Sequence, residues 1–463
     1  MMRAFSLADA VAWTGGQCRF GDAVQRTFSG VSTDTRKIGR GDLFVALRGD
    51  NFDGHQFLAK ARESGAVGAI VDTEDTSVDL PQMVVSDTVD ALAQLAAGNR
   101  NESQARFVAI TGSSGKTTVR EMVASILTQM GSTLSTEGNL NNHIGVPLTL
   151  FRLEKGHRFA AIELGASGLG EIAHTVAITR PDVAILTNAG QAHLEGFGSY
   201  ENIVQAKGEI IDGVGANGLV VLNGDDPAFG IWRQRAGGRK VTAVSGKAGG
   251  PADYYPSAVS VDIHGQSFIA HGPDDWQCSV QLALSGEHNI TNALLAIAAT
   301  RELGATHEAI QQGLQALAAV KGRLQMIELS AELVLIDDSY NANPSSMKAA
   351  IGVLAARPGI RAAVLGAMAE LGPDSRALHR EVGVCAREQG VERLLVVGPG
   401  CEGYIEGFGQ SAEVCASHED AVDRLLAGPQ FPMTILVKGS RSSAMDRVVE
   451  GMKEKVNNSC CSG

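Results

Sequence analysis

The sequence predicts an α/β protein built as three domains. Its 463 residues make about three units at ~100–200 residues per domain. Short apolar runs of strand length alternate with stripes of helical period along most of the chain. That is the pattern of a parallel sheet covered on both faces. Glycine supplies 55 residues while aromatics stay at 5%. The glycine share exceeds the usual ~7% and suits an enzyme with many tight strand-to-helix turns. Apolar residues make up 44% of the chain, enough for real cores, so disorder is excluded as the main state.

The first expected domain, a small α/β unit, covers residues 1–83. It carries strand-like pieces such as residues 42–47 between Gly and Asp turns. Pro81 and the stripe Val89, Leu92 and Leu95 mark a boundary and a helix entering the next unit. The central domain, residues 84–319, opens on the buried-strand run Phe107-Val108-Ala109-Ile110. A Gly/Ser turn follows, then a helix with Val119, Met122, Val123, Ile126 and Leu127 on one face. Apolar runs at 159–164, 183–186 and 219–222 extend the parallel sheet. Residues 252–284 alternate differently and predict hairpins, and a helix is expected over about 289–303. The C-terminal domain, residues 320–463, has runs at 333–336, 362–365, 394–397 and 434–437 between helical patterns. They predict a Rossmann-like, doubly wound sheet. The polar tail 456–463 is expected to fray.

A formal charge of -12 argues against a general nucleic-acid binder. No apolar run reaches the ~18 residues that a membrane span needs. Asp9 interrupts the apolar run near Arg3, which speaks against a cleavable signal peptide. The seven cysteines, at 18, 278, 385, 401, 415, 460 and 461, form no CxxC pair. They read as free thiols of a reducing cytosol, so a cytoplasmic location is expected.

The strongest chemical signal is Thr111-Gly112-Ser113-Ser114-Gly115-Lys116-Thr117-Thr118, between a strand and a helix. Backbone N–H groups at such a helix start cradle phosphate oxygens. Lys116 would reach the β/γ-phosphates and Thr117 would bind Mg²⁺. A generic phosphate loop has Gly five positions before Gly115, where Ile110 stands. The bland alternative is a Ser/Gly turn capping an ordinary helix.

Further motifs follow in order. They are Asn139-Leu140-Asn141-Asn142-His143-Ile144-Gly145, Ile162-Glu163-Leu164-Gly165, Ala192-His193-Leu194-Glu195-Gly196 and Ala206-Lys207-Gly208-Glu209. Later come Gly286-Glu287-His288-Asn289-Ile290-Thr291-Asn292, Gly322-Arg323 and Asp337-Asp338-Ser339-Tyr340-Asn341-Ala342-Asn343-Pro344. With the shortened phosphate loop, this ordered set resembles the Mur ligase family, whose members join carboxylates to amines using ATP. The N-terminal Ser32-Thr33-Asp34-Thr35-Arg36 and Asp53-Gly54-His55 resemble the family's UDP-binding first domain, not the Rossmann-like first domain of other branches. No Asp-Asn-Pro-Arg box occurs, which separates the chain from the branch that commonly carries one. The branch it resembles joins D-alanyl-D-alanine to UDP-N-acetylmuramoyl-tripeptide through an acyl phosphate. That reaction belongs to peptidoglycan synthesis, and so to cell-wall biogenesis, cell shape and cell division.

The resemblance implies roles residue by residue. Gly112, Ser113, Ser114, Gly115, Lys116, Thr117 and Thr118 would bind ATP, with Asn289 and Asn292 toward the adenine. Arg323 and Asp338 would also serve ATP, and Tyr340, Asn341 and Asn343 share the loop after Asp338. Thr117, Glu163, His193 and Lys207 would form the metal set for Mg²⁺, with Lys116, Lys207 and His193 catalytic. Ser32, Thr33, Arg36, Asp53 and His55 would hold the UDP-substrate. Lys207 would react with CO₂ to become a carbamate. Plainer readings stand beside these: helix capping for the Asn pair, a surface ion pair for Arg323, a loop histidine for His193, and turn chemistry for the N-terminal set. Lys207 reads otherwise as a helix-surface lysine, or as an ammonium pairing with phosphate or Glu209. Lys438-Gly439-Ser440-Arg441 ends the last strand, where it faces the incoming dipeptide or forms a solvated turn. His157, His174, His264, His271, His307, His379 and His418 are read as structural or surface residues. Ala367 departs from the family pattern, in which Asp is usual at that position. Two other functions fit parts of the sequence: a P-loop ATPase that drives motion, and a catalytically silent scaffold. A monomer is expected, with the UDP-substrate and D-alanyl-D-alanine as its partners.

Overall fold

The structure is a computed structural model that describes residues 2–18, 21–49, 52–191, 194–249, 252–262, 265–317, 321–427 and 432–460. Three sheets anchor it. The N-terminal sheet has five strands in the order Gln17–Cys18, Gln82–Val84, Gly68–Val71, Leu43–Val45 and Val31–Ser32. The expected boundary between residues 83 and 84 lies inside this sheet, because Val84 pairs with both Val71 and Gln17. Pro81 precedes a strand, and the interdomain helix Thr88–Asn101 starts only after it. The side chain of Asp87 caps that helix through the N–H groups of Val89 and Asp90.

The central sheet is six-stranded and parallel, in the order Thr133–Ser135, Phe159–Glu163, Arg106–Thr111, Val183–Leu186, Leu219–Asn223 and Lys240–Val244. Both its faces are dry. Along Arg106–Thr111, Phe107 and Ala109 join the core on one side, and Val108 and Ile110 join the core on the other. Side chains alternate across a strand, so a strand buried on both faces must be apolar at every position. The helix Lys116–Thr128 buries Val119, Met122, Val123, Ile126 and Leu127, the stripe read from the sequence. The hairpin region is a three-stranded antiparallel sheet, Tyr255–Asp262, Gly265–Gly272 and Trp276–Leu282. It is followed by the buried helix Glu287–Glu302.

The C-terminal sheet is also six-stranded, in the order Gln325–Ser330, Leu333–Asp338, Met433–Lys438, Ile360–Gly366, Arg393–Val397 and Glu413–Cys415. Only its first strand pairs antiparallel; the rest are parallel. The boundary expected at 319/320 lies outside the described residues. The tail differs from expectation. The helix Asp446–Cys460 continues into it as far as the described residues go, because Val448, Val449, Met452 and Val456 are buried against the sheet. No helix among the described residues is long and apolar enough to cross a membrane.

Candidate active site

A cavity of about 540 Å³ lies where the strand ends of the central and C-terminal sheets face each other. On the central side its wall is the loop that begins at the end of Arg106–Thr111. Gly115 takes φ 79, the left-handed region, and a Cβ there would stand 2.8 Å from Asn292 Oδ1. Glycine is therefore required twice, by conformation and by space. The next residue opens the helix Lys116–Thr128, whose first turn has no side-chain cap. Its N–H groups are left for a ligand. Asn289 and Asn292 are buried behind Gly115; Asn292 Nδ2 donates to Asn289 Oδ1 at 3.1 Å, and Asn289 Nδ2 donates to the Ser285 carbonyl at 2.8 Å.

Lys116 lies folded over its own loop, its Nζ donating to the carbonyls of Gly112 at 2.7 Å and Ser113 at 3.4 Å. Burial lowers its pKa, with Glu163 opposing the shift and Arg323 adding to it. Glu163 is 2% exposed. Its Oε2 accepts the Thr117 hydroxyl at 2.9 Å and its Oε1 accepts Asn141 Nδ2 at 2.9 Å. The buried Arg120 guanidinium stands 3.5 Å from the same carboxylate. Thr117 and Glu163 thus offer oxygen donors beside the loop, a donor set that suits a hard cation such as Mg²⁺. Among the described residues, no group of three or more His, Cys, Asp or Glu is arranged to hold a metal. His193, expected in the metal set, lies outside the described residues.

Lys207 is 1% exposed and not a surface lysine. Its Nζ meets the Ala166 carbonyl at 3.2 Å and lies over the Phe197 ring. Burial, aided by the charge of Lys116, lowers its pKa to about 7. Glu209 is engaged elsewhere. Its two oxygens accept the N–H groups of Gly170 and Ala173, at 2.8 and 2.9 Å, at the start of the helix Glu171–Thr179.

The C-terminal wall carries charged side chains. Asp338 and Lys438 are register partners on neighbouring strands and form a buried ion pair at 2.6 Å. Asp338 belongs to the strand Leu333–Asp338 and not to a following loop. Burial raises its pKa despite Lys438, and Leu324 N–H also donates to it at 3.1 Å. Lys438 Nζ donates further to the Asn341 carbonyl at 2.8 Å. Arg323 stacks over the Tyr340 ring at 4.4 Å, and both line the cavity with Arg441. His288, named above only within a motif, lines the same cavity from the helix Glu287–Glu302. Burial and the charge of Lys438 lower its pKa to about 4.

The comparisons follow this geometry. Residues 27–100 match the description "Mur ligase family, catalytic domain", residues 110–300 the "Mur ligase middle domain", and residues 322–441 the "Mur ligase, glutamate ligase domain". The chain is 47% identical over 436 residues to the UDP-N-acetylmuramoyl-tripeptide–D-alanyl-D-alanine ligase of Escherichia coli, covering 94% of this chain and 95% of that one. The chain belongs to the Mur ligase family. Among solved structures of this Mur ligase family, MurF from Acinetobacter baumannii superposes with a TM-score of 0.92 at 34% identity, covering 98% of this chain and 99% of that chain. MurF ligase from Thermotoga maritima in complex with ADP gives 0.83 at 29% identity, covering 93% of this chain and 98% of that chain.

Of the residues expected at this Mur ligase's ATP site, Ser113 to Thr118, Asn289, Asn292, Arg323 and Asp338 line the one cavity, while Gly112 lies behind it. None of Ser32, Thr33, Arg36, Asp53 and His55 lines it. They lie in the N-terminal domain, in two hydrogen-bonded groups. Asp53 Oδ1 faces His55 Nδ1 at 2.7 Å, and Arg48 bridges Asp53 and Asp72 at 3.0 and 2.8 Å. Ser32 Oγ donates to the Asp34 carbonyl at 3.0 Å, Arg36 grips Asp34 at 2.8 Å from an exposed position, and Thr33 is half-buried. Ala367 is not in the cavity wall; its carbonyl accepts Ser440 N–H at 3.0 Å. His379 is structural as read. It is fully buried, and its Nε2 accepts Met368 N–H at 2.9 Å. His264 lies outside the described residues.

Proposed function

We propose that this Mur ligase is an ATP-dependent, ADP-forming amide ligase that joins D-alanyl-D-alanine to UDP-N-acetylmuramoyl-tripeptide. One observation carries the reading: an amide-lined phosphate loop faces a wall of charged side chains across a single cavity between two domains. That arrangement, on a chain 47% identical to a ligase so named, supports phosphoryl transfer to a carboxylate. In the proposed reaction, a carboxylate oxygen of the tripeptide attacks the γ-phosphorus of ATP and ADP leaves. The amine of D-alanyl-D-alanine then attacks the acyl phosphate carbon. The tetrahedral adduct expels phosphate, and the nitrogen loses a proton. A free carboxylate is a poor electrophile, so activation precedes attack.

Each wall has a task in that scheme. The amides after Gly115 hold phosphate oxygens, and Lys116 swings from the Gly112 carbonyl to the charge that develops during transfer. Thr117 and Glu163 would hold Mg²⁺, which when bound supplies charge neutralisation on the phosphates. Asn289 and Asn292 meet the adenine, Asp338 the ribose, and Arg323 the phosphates. Lys207 is the proposed carbamate former. A neutral amine is needed to attack CO₂, and burial favours the neutral form. The N-terminal set, with Ser32, Thr33, Arg36, Asp53 and His55, takes the UDP end, whose remote binding energy is used at the reacting carbon. The enzyme is proposed to act as a cytoplasmic monomer in peptidoglycan synthesis, serving cell shape and division.

The test is ADP release with and without each co-substrate. The reading requires release that depends on both the UDP-tripeptide and D-alanyl-D-alanine. Release without either would favour a plain ATPase, and no release would favour a scaffold. For Lys207, the alanine variant should be nearly inactive and partly restored by acetate. Restoration by a small amine would favour an ammonium role, and full activity would remove Lys207 from the mechanism.

A further inference from the structure

The phosphate loop is short: Ile110 stands where a generic loop has its first glycine. A shorter loop has fewer residues with which to hold its own shape. In this chain the missing restraint comes from the neighbouring strand. Asn188 lies two residues past the strand Val183–Leu186. Its Oδ1 accepts Ser114 N–H at 3.0 Å and Ser114 Oγ–H at 3.2 Å, while its Nδ2 donates to the Ser114 carbonyl at 3.2 Å. Its own carbonyl accepts Ser113 N–H at 3.0 Å. Thr187 Oγ1 adds a bond to the Ser114 carbonyl at 2.6 Å.

An amide side chain carries a donor and an acceptor, so it can satisfy both the N–H and the C=O of one residue. Aspartate has no donor for the carbonyl, and an aliphatic side chain has neither group. The segment that carries Asn188 is fixed in turn. Thr187 N–H donates to the Thr111 carbonyl at 3.0 Å, and Asn223 Nδ2 to the Thr187 carbonyl at 3.0 Å. Asp226 accepts Ala189 N–H at 2.9 Å and Ala228 N–H at 2.8 Å. Three adjacent strand ends are thereby tied together behind the loop. Ser113 and Ser114 spend their amides inside the protein, so the donors left for a phosphate begin at the helix start. The direction in which these point depends on where Ser114 is held.

We propose that Asn188 is a positioning residue of the phosphate loop, a side-chain brace that replaces the backbone restraint a longer loop would supply. The inference rests on the nucleotide-binding reading and adds the residue that sets the loop's affinity for phosphate.

The experiment uses the full chain, its Asn188→Ala variant and its Asn188→Asp variant, with ADP and inorganic tripolyphosphate as calorimetric probes. Losing the bonds to Ser114 should weaken both probes together, by about tenfold for Asn188→Ala. Asn188→Asp is nearly isosteric but lacks the donor and sets a carboxylate beside the phosphates, so it should weaken both further. It carries the test if the alanine variant does not fold. The KM for the UDP-tripeptide should stay unchanged. Unchanged ADP affinity in both variants would overturn the proposal. So would loss for ADP alone, since the amide would then touch the nucleoside, or a parallel rise in the UDP-tripeptide KM, which would mark general damage. If the wild-type chain binds ADP and the variants match it, this inference alone fails. If the wild-type chain binds neither probe, the nucleotide reading fails with it.

Discussion

The two walls of the cavity end parallel strands in the same sense but offer different chemistry. The central wall presents backbone: a left-handed Gly115, uncapped helical amides, and a lysine folded onto loop carbonyls. The C-terminal wall presents side chains, with the Asp338–Lys438 pair, Arg323 over Tyr340, and Arg441. Backbone donors are fixed by the fold and need no reorganisation when charge arrives. Charged side chains bring larger fields but must be desolvated and paired. In the proposed scheme both walls meet the phosphates, the central one through fixed amides and Lys116, the C-terminal one through Arg323.

Breaking the C-terminal pair tests the costlier wall. Lys438→Met leaves the Asp338 carboxylate buried without its partner and should cost about 3–5 kcal/mol in urea unfolding. A second change, Asp338→Asn, should recover part of that. A loss below about 1 kcal/mol would show that the pair does not hold this wall together. On the central wall, Lys116→Ala should reduce turnover by ~10²–10³ while circular dichroism stays unchanged. Near-normal turnover would remove the loop from the mechanism.

Lys207 tests what an unpaired buried amine does. Its folded pKa of about 7 lies below the unfolded value of about 10.4. Between those values the unfolded chain binds more protons, so stability should rise with pH from about 7 to about 10. The slope reaches at most about 1.4 kcal/mol per pH unit. Urea titrations at pH 7 and 9 should reveal the rise in the wild-type chain and its absence in Lys207→Met. The N-terminal set, with its exposed Arg36, should give the smallest effects. Arg36→Ala and His55→Ala should raise the KM for the UDP-tripeptide by less than about tenfold. The ATP KM should stay fixed, and stability should move by less than about 0.5 kcal/mol for the exposed Arg36. A shift in the ATP KM instead would join the two sites that the structure keeps apart.

Much of this was legible because periodicity and strand-end placement are local. The run Phe107-Val108-Ala109-Ile110 reads as a strand buried on both faces, and its residues divide between two cores. Gly115-Lys116-Thr117 reads as a phosphate loop from its strand–turn–helix setting. The contacts of Asn188 with Ser114 span 74 residues, and no spacing rule reaches that far. The strand Gln82–Val84 at the expected first boundary is not legible, because it is a strand only by virtue of its partners at Val71 and Gln17. The tail reads as frayed because polar residues dominate it, while Val456 is a single apolar position packed on the sheet. The surface alternative for Lys207 stands in the sequence because composition says nothing of depth.

Residues 322–324, near the start of the C-terminal domain, run along the cavity wall. Gly322 has φ 74 and Leu324 φ 50; both line the cavity with Arg323. Tyr340 N–H, on the same wall, donates to the Gly322 carbonyl at 3.1 Å. A body turning about such a pivot moves in proportion to its lever arm. Groups beside the axle, Arg323 and Tyr340, would sweep a short arc, and the outer rim of the C-terminal domain a long one. A rotation that opens the entrance wide can therefore leave the nucleotide corner nearly where it was. In the proposed reaction, release of a bulky product need not wait for ADP to leave first.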